Sequence, residues 1–173
     1  MPKSGGCGQA LVLTSDQLDS IMSECPPKLR AVLSTTRFTA CRVSEALSLK
    51  WSNATATDIV IPKAVTKGKK NTRTIPLNPK LADELKTWKE VWTSTFNKEP
   101  EPNDYIFPGR GGVSEHYSRK TVDEKFRSTC KKLGIEGAST HSFRRSGFVS
   151  GDTSSTHPSL ERTLIAGHVA ALH

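Results

Sequence analysis

The first part of the chain repeats its apolar positions with the period of an α-helix. Ser15 is placed to cap a first helix, and Pro26-Pro27 ends that helix and opens a second. A third helix is predicted over about residues 42–50. The inward faces of the three helices consist of Leu18, Ile21, Met22, Leu29, Val32, Leu33, Val43, Ala46, Leu47 and Leu49. Each predicted helix is therefore amphipathic, with one apolar stripe.

The period then changes to that of β-strands. Residues 58–61 and 73–77 are short runs with β-branched and apolar side chains. Residues 66–71, between them, are rich in lysine and include a glycine, which is typical of a turn. The pattern predicts a small antiparallel sheet with an exposed, positively charged hairpin.

Two longer amphipathic helices follow the sheet. Asn78 and Pro79 are placed as the N-cap and first residue of one helix, and Ser118 caps another that Gly134 ends. The inward positions of these two helices are Leu81, Leu85, Trp88, Trp92, Val122, Phe126, Cys130 and Leu133. Their spacing of three and four residues predicts that each helix buries one face.

The remaining segments complete a mainly helical plan. Residues 105–108 are expected to be extended, and residues 109–112 are expected to form a loop. Further helices are predicted at residues 141–148 and 160–166. The fold class is therefore mainly α with a small antiparallel β-sheet (α+β).

The length of 173 residues suits one domain with a buried core. Residues 1–12 are expected to be a flexible leader or the stub of a linker, and residues 13–173 to form the domain. The sequence has neither the long apolar run of a transmembrane helix nor the apolar stretch of a signal peptide. A cytoplasmic location follows as the default expectation.

The formal net charge of +8 and the sequence pI of about 9.5 favour a polyanionic partner, of which nucleic acid is the commonest. The four cysteines lie at positions 7, 25, 41 and 130, without the short spacing of a zinc site. We therefore assign no metal, no cofactor and no disulfide. Cys41 and Cys130 are predicted to be buried thiols in helical stretches.

Three motifs carry the candidate chemistry. They are Thr39-Ala40-Cys41-Arg42-Val43-Ser44-Glu45-Ala46-Leu47-Ser48-Leu49-Lys50-Trp51, then His141-Ser142-Phe143-Arg144, and finally Leu164-Ile165-Ala166-Gly167-His168. Their order and separations resemble those of the tyrosine recombinases, the phage-integrase type of DNA strand transferase, over about residues 12 to 168. The resemblance implies the catalytic-domain fold of that family and site-specific DNA recombination or integration through a 3′-phosphotyrosine intermediate. A nucleoid-associated location in the cytoplasm would follow.

The resemblance implies that Arg42 and Arg144 bind the DNA phosphate that is attacked. Attack on a phosphodiester concentrates negative charge on the non-bridging oxygens, and preorganised cations that meet this charge lower the barrier. Arginine suits this role because its planar guanidinium makes two hydrogen bonds to phosphate and stays charged. Glu45 lies one helical turn after Arg42, where it either orients the guanidinium or forms an ordinary surface pair.

The other site residues are also carried over from the resemblance. A hairpin lysine would protonate the leaving oxygen, and Lys67 is the first candidate, with Lys69 and Lys70 as alternatives. The two histidines, His141 and His168, would hydrogen-bond the phosphate and assist proton transfer. Contacts to DNA are expected from four residues, namely Lys69, Lys70, Arg73 and Arg145. Arg145 departs from the family pattern, since many relatives have histidine there.

The family's nucleophilic tyrosine has no counterpart in this chain. Tyr105 and Tyr117 are the two tyrosines, and both precede the His141–Arg144 motif. We expect a catalytic domain that ends before its nucleophile, lacks the N-terminal DNA-clamping domain and is inactive for cleavage by itself. Loss of the tyrosine from a decayed gene, or its donation by a partner chain, are the alternatives. The intact protein would form tetramers on double-stranded DNA, and this chain a monomer in solution.

Three other functions fit part of the sequence. A non-catalytic DNA-binding module of the same fold fits the missing tyrosine, but such a module does not need the paired arginines and histidines. A type IB topoisomerase shares the chemistry, although the small domain fits a recombinase better. A ribonuclease could use His141, His168 and Lys67, but it leaves both arginine motifs unexplained.

Overall fold

The computed structural model describes residues 11–66, 68 and 71–149. The predicted helix at residues 160–166 and four of the candidate site residues, Lys67, Lys69, Lys70 and His168, lie outside this part of the chain. Of the predicted leader, only Leu11 and Val12 fall within it, and both are exposed. Among the described residues, no helix is both long enough and apolar enough to cross a membrane.

Within the described ranges, the structure consists of helices and two short hairpins. The helices are α1 (Ser15–Glu24), α2 (Pro27–Thr39), α3 (Val43–Leu47), α4 (Pro79–Phe96), α5 (Arg119–Lys132) and α6 (Thr140–Val149). The strands are β1 (Asp58–Ile61), β2 (Arg73–Pro76), β3 (Pro108–Gly109) and β4 (Gly112–His116). The predicted class, mainly α with small antiparallel sheets, is confirmed.

Helix α2 lies at the centre of the fold. It contacts the other five helices, and every residue from Ala31 to Thr39 is buried. The hydroxyls of Thr35 and Thr39 donate to carbonyls one turn earlier, at 2.9 and 2.6 Å, so these buried polar groups are paired within the helix. A helix buried on all sides provides a rigid base for whatever its C-terminus carries.

Two predicted helix boundaries differ by a few residues from those observed. Thr14, rather than Ser15, caps α1, because its hydroxyl accepts from the backbone of Gln17 while the Gln17 side chain accepts from Thr14. The third helix is shorter than predicted, because α3 ends at Leu47 rather than near Lys50, and its first residue is Val43. Cys41 is therefore a buried thiol, as expected, but it lies in the loop before α3 rather than in a helix.

The first hairpin has the predicted strands. Strand β1 pairs antiparallel with β2, and Ile59 lies opposite Ile75, with both side chains buried. Residue burial alternates along β2, so Arg73 and Ile75 point to the same side of the hairpin.

The second hairpin was not predicted. Residues 109–112 were expected to be a loop, but β3 and β4 pair antiparallel around a tight turn. Gly112 has a φ of +102°, a conformation that a residue with a side chain adopts only with strain. The glycines that suggested a loop instead permit the turn.

Helix α4 is fixed to the extended segment by its two tryptophans. The indole N–H of Trp88 donates to the carbonyl of Ile106 at 2.7 Å, and that of Trp92 to the carbonyl of Tyr105 at 3.2 Å. The ring of Trp88 also stacks on Phe107. These residues satisfy the polar edge of each indole while burying its apolar body.

Candidate active site

Arg42 lies in a turn created by an unusual residue. Ala40 ends α2 with a φ of 54°, in the left-handed region, and the chain therefore reverses direction immediately after the helix. The backbone N–H of Cys41 donates to the hydroxyl of Thr39 at 3.3 Å, which holds the turn. Arg42 follows as the N-cap of α3, with its side chain 43% exposed.

Glu45 is the buried centre of the site. Its side chain is only 3% exposed, and its Oε2 accepts from the backbone N–H of Arg42 at 2.7 Å. The same oxygen accepts from Nη2 of Arg73 at 2.9 Å, whereas Nη1 of Arg42 lies 3.6 Å from Oε1. Glu45 thus caps α3 and forms its shorter ion pair with the hairpin, and its contact with the Arg42 guanidinium is the longer one.

Arg144 reaches the same turn from α6. Its Nε donates to the carbonyl of Ala40 at 2.5 Å, which joins two segments that are distant in sequence. Burial, and next the positive charge of Arg42, lower the pKa of Arg144, while Glu45 acts in the opposite direction. Arg42 and Arg144 therefore lie close enough to repel each other, as expected if both face one anion.

The cluster has an excess of positive charge. Arg42, Arg73 and Arg144 surround the single buried carboxylate of Glu45, and Arg42 and Arg73 remain partly exposed. Exposed guanidinium groups next to a buried, hydrogen-bonded frame are suited to bind a phosphate oxygen. The arrangement can therefore stabilise an anion, or negative charge that develops on one.

His141 lies in the first turn of α6, three residues before Arg144, and is exposed. Positions three apart on a helix share a face, so His141 and Arg144 lie on the same side of α6. The hydroxyl of Ser142 accepts from the backbone of Ser139 at 3.1 Å, which stabilises this first turn. Arg145, the next residue, is also exposed.

A network of side-chain contacts links α3, α5 and α6. Asp123 accepts from the hydroxyl of Thr140 at 3.0 Å and lies 3.6 Å from Nε of Arg119. Nη1 of Arg119 in turn donates to the hydroxyl of Ser44 at 3.3 Å. These contacts connect the starts of the two helices that carry Arg42 and Arg144.

The structure brings together Arg42, Glu45 and Arg144 from the sequence-based site, and it adds Arg73 as a partner of Glu45. Arg73 was expected to contact DNA, and its ion pair was missed. Strand alternation carried the available signal, because Arg73 shares a face with the apolar Ile75. The candidate general acids and His168 lie in the part of the chain that the structure leaves undescribed.

The sequence from residue 11 to residue 148 matches the family model described as the phage integrase family. Because this match covers well over half of the chain, the protein belongs to the phage integrase family. No curated protein sequence matched the chain.

The fold is similar to solved structures of recombinases. XerA recombinase has a TM-score of 0.60 and 18% identity, with 92% of this chain and 66% of that chain covered. XerH bound to difH substrate in a pre-cleavage complex has a TM-score of 0.64 and 20% identity, with 89% and 50% covered. A lambda integrase (75–356) dimer bound to a COC′ core site has a TM-score of 0.62 and 20% identity, with 83% and 52% covered.

The chain thus spans between 50% and 66% of the length of these three structures. At sequence identities of 18–20%, the similarity shows that this chain has the tyrosine-recombinase catalytic-domain fold, and it shows nothing beyond the fold.

Proposed function

We propose that this domain binds duplex DNA and presents Arg42 and Arg144 to one phosphodiester, for DNA cleavage and rejoining in site-specific recombination. One observation carries the proposal. Arg144 donates to the carbonyl of Ala40, two residues before Arg42, and its pKa is lowered by burial and then by the positive charge of Arg42. Within the described residues, these like charges lie beside one buried carboxylate, that of Glu45, and an anionic ligand would balance them.

The chemistry requires this pairing. In the transition state of phosphoryl transfer, negative charge spreads over the non-bridging oxygens of the phosphate. Arginines held in place before the reaction stabilise that charge without reorganisation. Arg144 is held by its hydrogen bond to Ala40, and Arg42 by the cap that Glu45 forms on α3. Both can therefore offer their remaining N–H groups to the phosphate.

Proton transfer is assigned to two histidines and one hairpin lysine. His141, on the same face of α6 as Arg144, and His168 are both proposed to hydrogen-bond the phosphate and to assist proton transfer. Lys67 is the proposed general acid for the leaving oxygen, with Lys69 or Lys70 as the alternatives. The resemblance of their motifs to those of the family supports these roles.

The tyrosines of this chain are proposed not to act as nucleophiles. The ring of Tyr105 contacts His116 and Lys50, and its backbone belongs to the segment that α4 covers. The ring of Tyr117 lies near the ammonium groups of Lys28 and Lys125, whose Nζ atoms are 4.7 and 6.0 Å from the ring centroid. Both rings are thus committed to contacts with other parts of the domain. By itself the chain would then bind DNA without becoming covalently attached to it.

The named structures suggest the partners of this protein. Lambda integrase has been solved as a dimer bound to a COC′ core site and as a tetramer bound to a Holliday junction. XerH has been solved bound to difH substrate. We propose double-stranded DNA and further protomers of the same kind as partners here, and a DNA-associated location in the cytoplasm.

The proposal is tested by measuring the affinity of the purified chain for a short labelled duplex as salt is varied. Arg42→Ala should weaken binding and lower the slope of log affinity against log salt by about one, since one phosphate contact is lost. Arg144→Lys should weaken binding as well, because lysine keeps the charge but loses the planar hydrogen-bonding geometry.

Lys89→Ala is the matched control. It removes one positive charge from α4, where Lys89 pairs with Glu99 at 3.4 Å. Its affinity and salt slope should stay close to those of the unaltered chain. If Arg42→Ala and Lys89→Ala behaved alike, the arginine cluster would not be the DNA-binding centre, and a general basic surface would replace it.

A further inference from the structure

We propose that Arg73 is a positioning residue. It holds the carboxylate of Glu45 and thereby leaves the guanidinium of Arg42 available to the phosphate. This inference rests on the proposed function, since it assumes that Arg42 binds an anion. It replaces the expectation that Arg73 contacts DNA directly.

The hydrogen bonds of Glu45 support this assignment. Its Oε2 receives the Arg42 backbone N–H at 2.7 Å and Nη2 of Arg73 at 2.9 Å, both within the range of charge-assisted hydrogen bonds. The nearest guanidinium nitrogen of Arg42 is 3.6 Å from Oε1, which is longer than such a bond. The carboxylate of Glu45 therefore forms its closest ion pair with the guanidinium of Arg73 and not with that of Arg42.

Burial makes Arg73 necessary. A carboxylate with only 3% of its side chain exposed needs a cation close by, because its charge has lost the stabilisation of water. Without Arg73, the guanidinium of Arg42, on the same turn, is the group that can approach it. Arg42 would then close onto Glu45 and lose part of its capacity to bind phosphate.

The orientation of Arg73 also fits this role. It lies on the face of β2 that carries the buried Ile75, and its side chain is less exposed than that of Arg42, at 31% against 43%. An arginine that mainly contacts DNA would be expected on the opposite, outward face of the strand, which carries Thr74 and Pro76. The ion pair with Glu45 therefore fastens β2 of the hairpin to the start of α3.

A double-mutant cycle distinguishes positioning from direct contact. Arg73→Ala, Glu45→Gln and the double variant are compared for affinity towards inorganic phosphate and towards a short duplex. Glu45→Gln keeps an oxygen that can accept from the Arg42 backbone N–H, so the cap of α3 is retained. Arg73→Ala should weaken phosphate binding roughly three- to tenfold, and the double variant should recover to within about twofold of the unaltered chain.

Recovery is expected because the double variant has no carboxylate at position 45 with which the Arg42 guanidinium could pair instead of binding phosphate. If Arg73 instead contacted DNA, Glu45→Gln would not restore what Arg73→Ala removes, and the effects would add. Additive losses in the cycle would overturn the inference. Lys63→Ala is the matched control, since it removes an exposed positive charge between β1 and β2, and Glu45→Gln should not rescue it.

A spectroscopic measurement keeps the inference testable if Arg73→Ala folds poorly. The Nε–H resonance of Arg42 should shift on addition of phosphate in the unaltered chain and in Arg73→Lys, which keeps a cation beside Glu45. The response should be weaker in Arg73→Gln, which is closer to arginine in size but carries no charge, and an equal response of Arg42 in Arg73→Gln and in the unaltered chain would overturn the proposed coupling. Arg42→Ala separates the two proposals: unchanged phosphate affinity in that variant would contradict the proposed function itself.

Discussion

Buried thiols make the stability of the fold depend on pH. Burial raises the pKa of Cys25 and of Cys41 from 9.0 to about 11, against opposing hydrogen bonds from Thr129 and Thr39. Because the folded pKa exceeds the unfolded one, each thiol stabilises the fold fully below pH 9. This contribution is lost as pH rises from 9 through about 11, and it is on the order of 2 kcal/mol for each thiol.

Urea unfolding of the unaltered chain and of Cys41→Ala at pH 8 and at about pH 11 measures this effect. The free energy of unfolding should fall less with pH in Cys41→Ala, because one of the buried thiols with a raised pKa is absent. Lysines and tyrosines titrate in the same range but are common to both proteins. An identical loss in the two proteins would show that Cys41 is ionised as easily in the fold as outside it.

At the scale of single residues, the sequence indicated which residues belong to the candidate site better than it indicated which residues they contact. Arg42, Glu45 and Arg144 stand in recognisable motifs, and Ala40, the acceptor of Arg144, lies two residues before Arg42. The roles that the motifs imply for these residues stay predictions. The pairing of Arg73 with Glu45 depends on how the hairpin docks against α3, which is a long-range contact. The role of Ala40 as acceptor for Arg144 could not be predicted either, since backbone carbonyls carry no sequence signal.

One buried serine of α6 joins this helix to the N-terminal end of the described chain. The buried hydroxyl of Ser146 accepts from the backbone N–H of Leu13 at 2.6 Å and donates to the carbonyl of Ser142 at 2.7 Å. Ser146→Ala should leave the N–H of Leu13 buried without a partner and reduce the free energy of unfolding by about 1–3 kcal/mol. Chemical denaturation measures the loss.

Ser23→Ala is the comparison for this variant. Ser23 also donates to the carbonyl four residues earlier, at 3.0 Å, but it is exposed on α1 and accepts no long-range bond. Its removal should change the free energy of unfolding by less than about 0.5 kcal/mol. Equal effects of the two substitutions would mean that Leu13 does not depend on Ser146.

Elements with strong local signals were predicted accurately, and those set by tertiary contacts were not. Asn78 and Pro79 begin α4 as expected. The side-chain oxygen of Asn78 caps the helix by accepting from the backbone N–H of Lys80. The second hairpin was missed because β3 has only two residues and β4 is largely exposed, so neither shows a β period. Its pairing is stabilised by neighbours, including the bond from Tyr117 N–H to Phe107.

For the whole molecule, the decisive test concerns covalent chemistry. Incubation of the chain with a nicked duplex that traps cleavage should give no protein–DNA band that survives denaturation, since both tyrosine rings are engaged elsewhere in the domain. A denaturing gel with radiolabelled DNA is sufficient. If a band appeared, Tyr105→Phe and Tyr117→Phe would identify the tyrosine responsible, and the proposed absence of a nucleophile would be wrong.

The class of the fold followed from periodicity alone, whereas its arrangement did not. Helical and strand periods are local, so the mainly α plan could be derived from spacing. The central place of α2 was not evident, because its buried positions include Ser34, Thr35, Thr36 and Arg37, which a hydropathy pattern assigns to the surface. The net charge of +8 favoured a polyanion but did not indicate where it binds.

The hydrogen bond from Arg144 to Ala40 has a consequence for how the protein tolerates change. The guanidinium of Arg144 is oriented by Ala40, the residue that caps the end of α2, as well as by its own helix, α6. A slight rotation of α2, caused by altering a side chain deep in the interior, would therefore redirect a guanidinium at the surface. Sequence drift in the hydrophobic interior should be restrained here by the geometry of the proposed phosphate site as well as by stability.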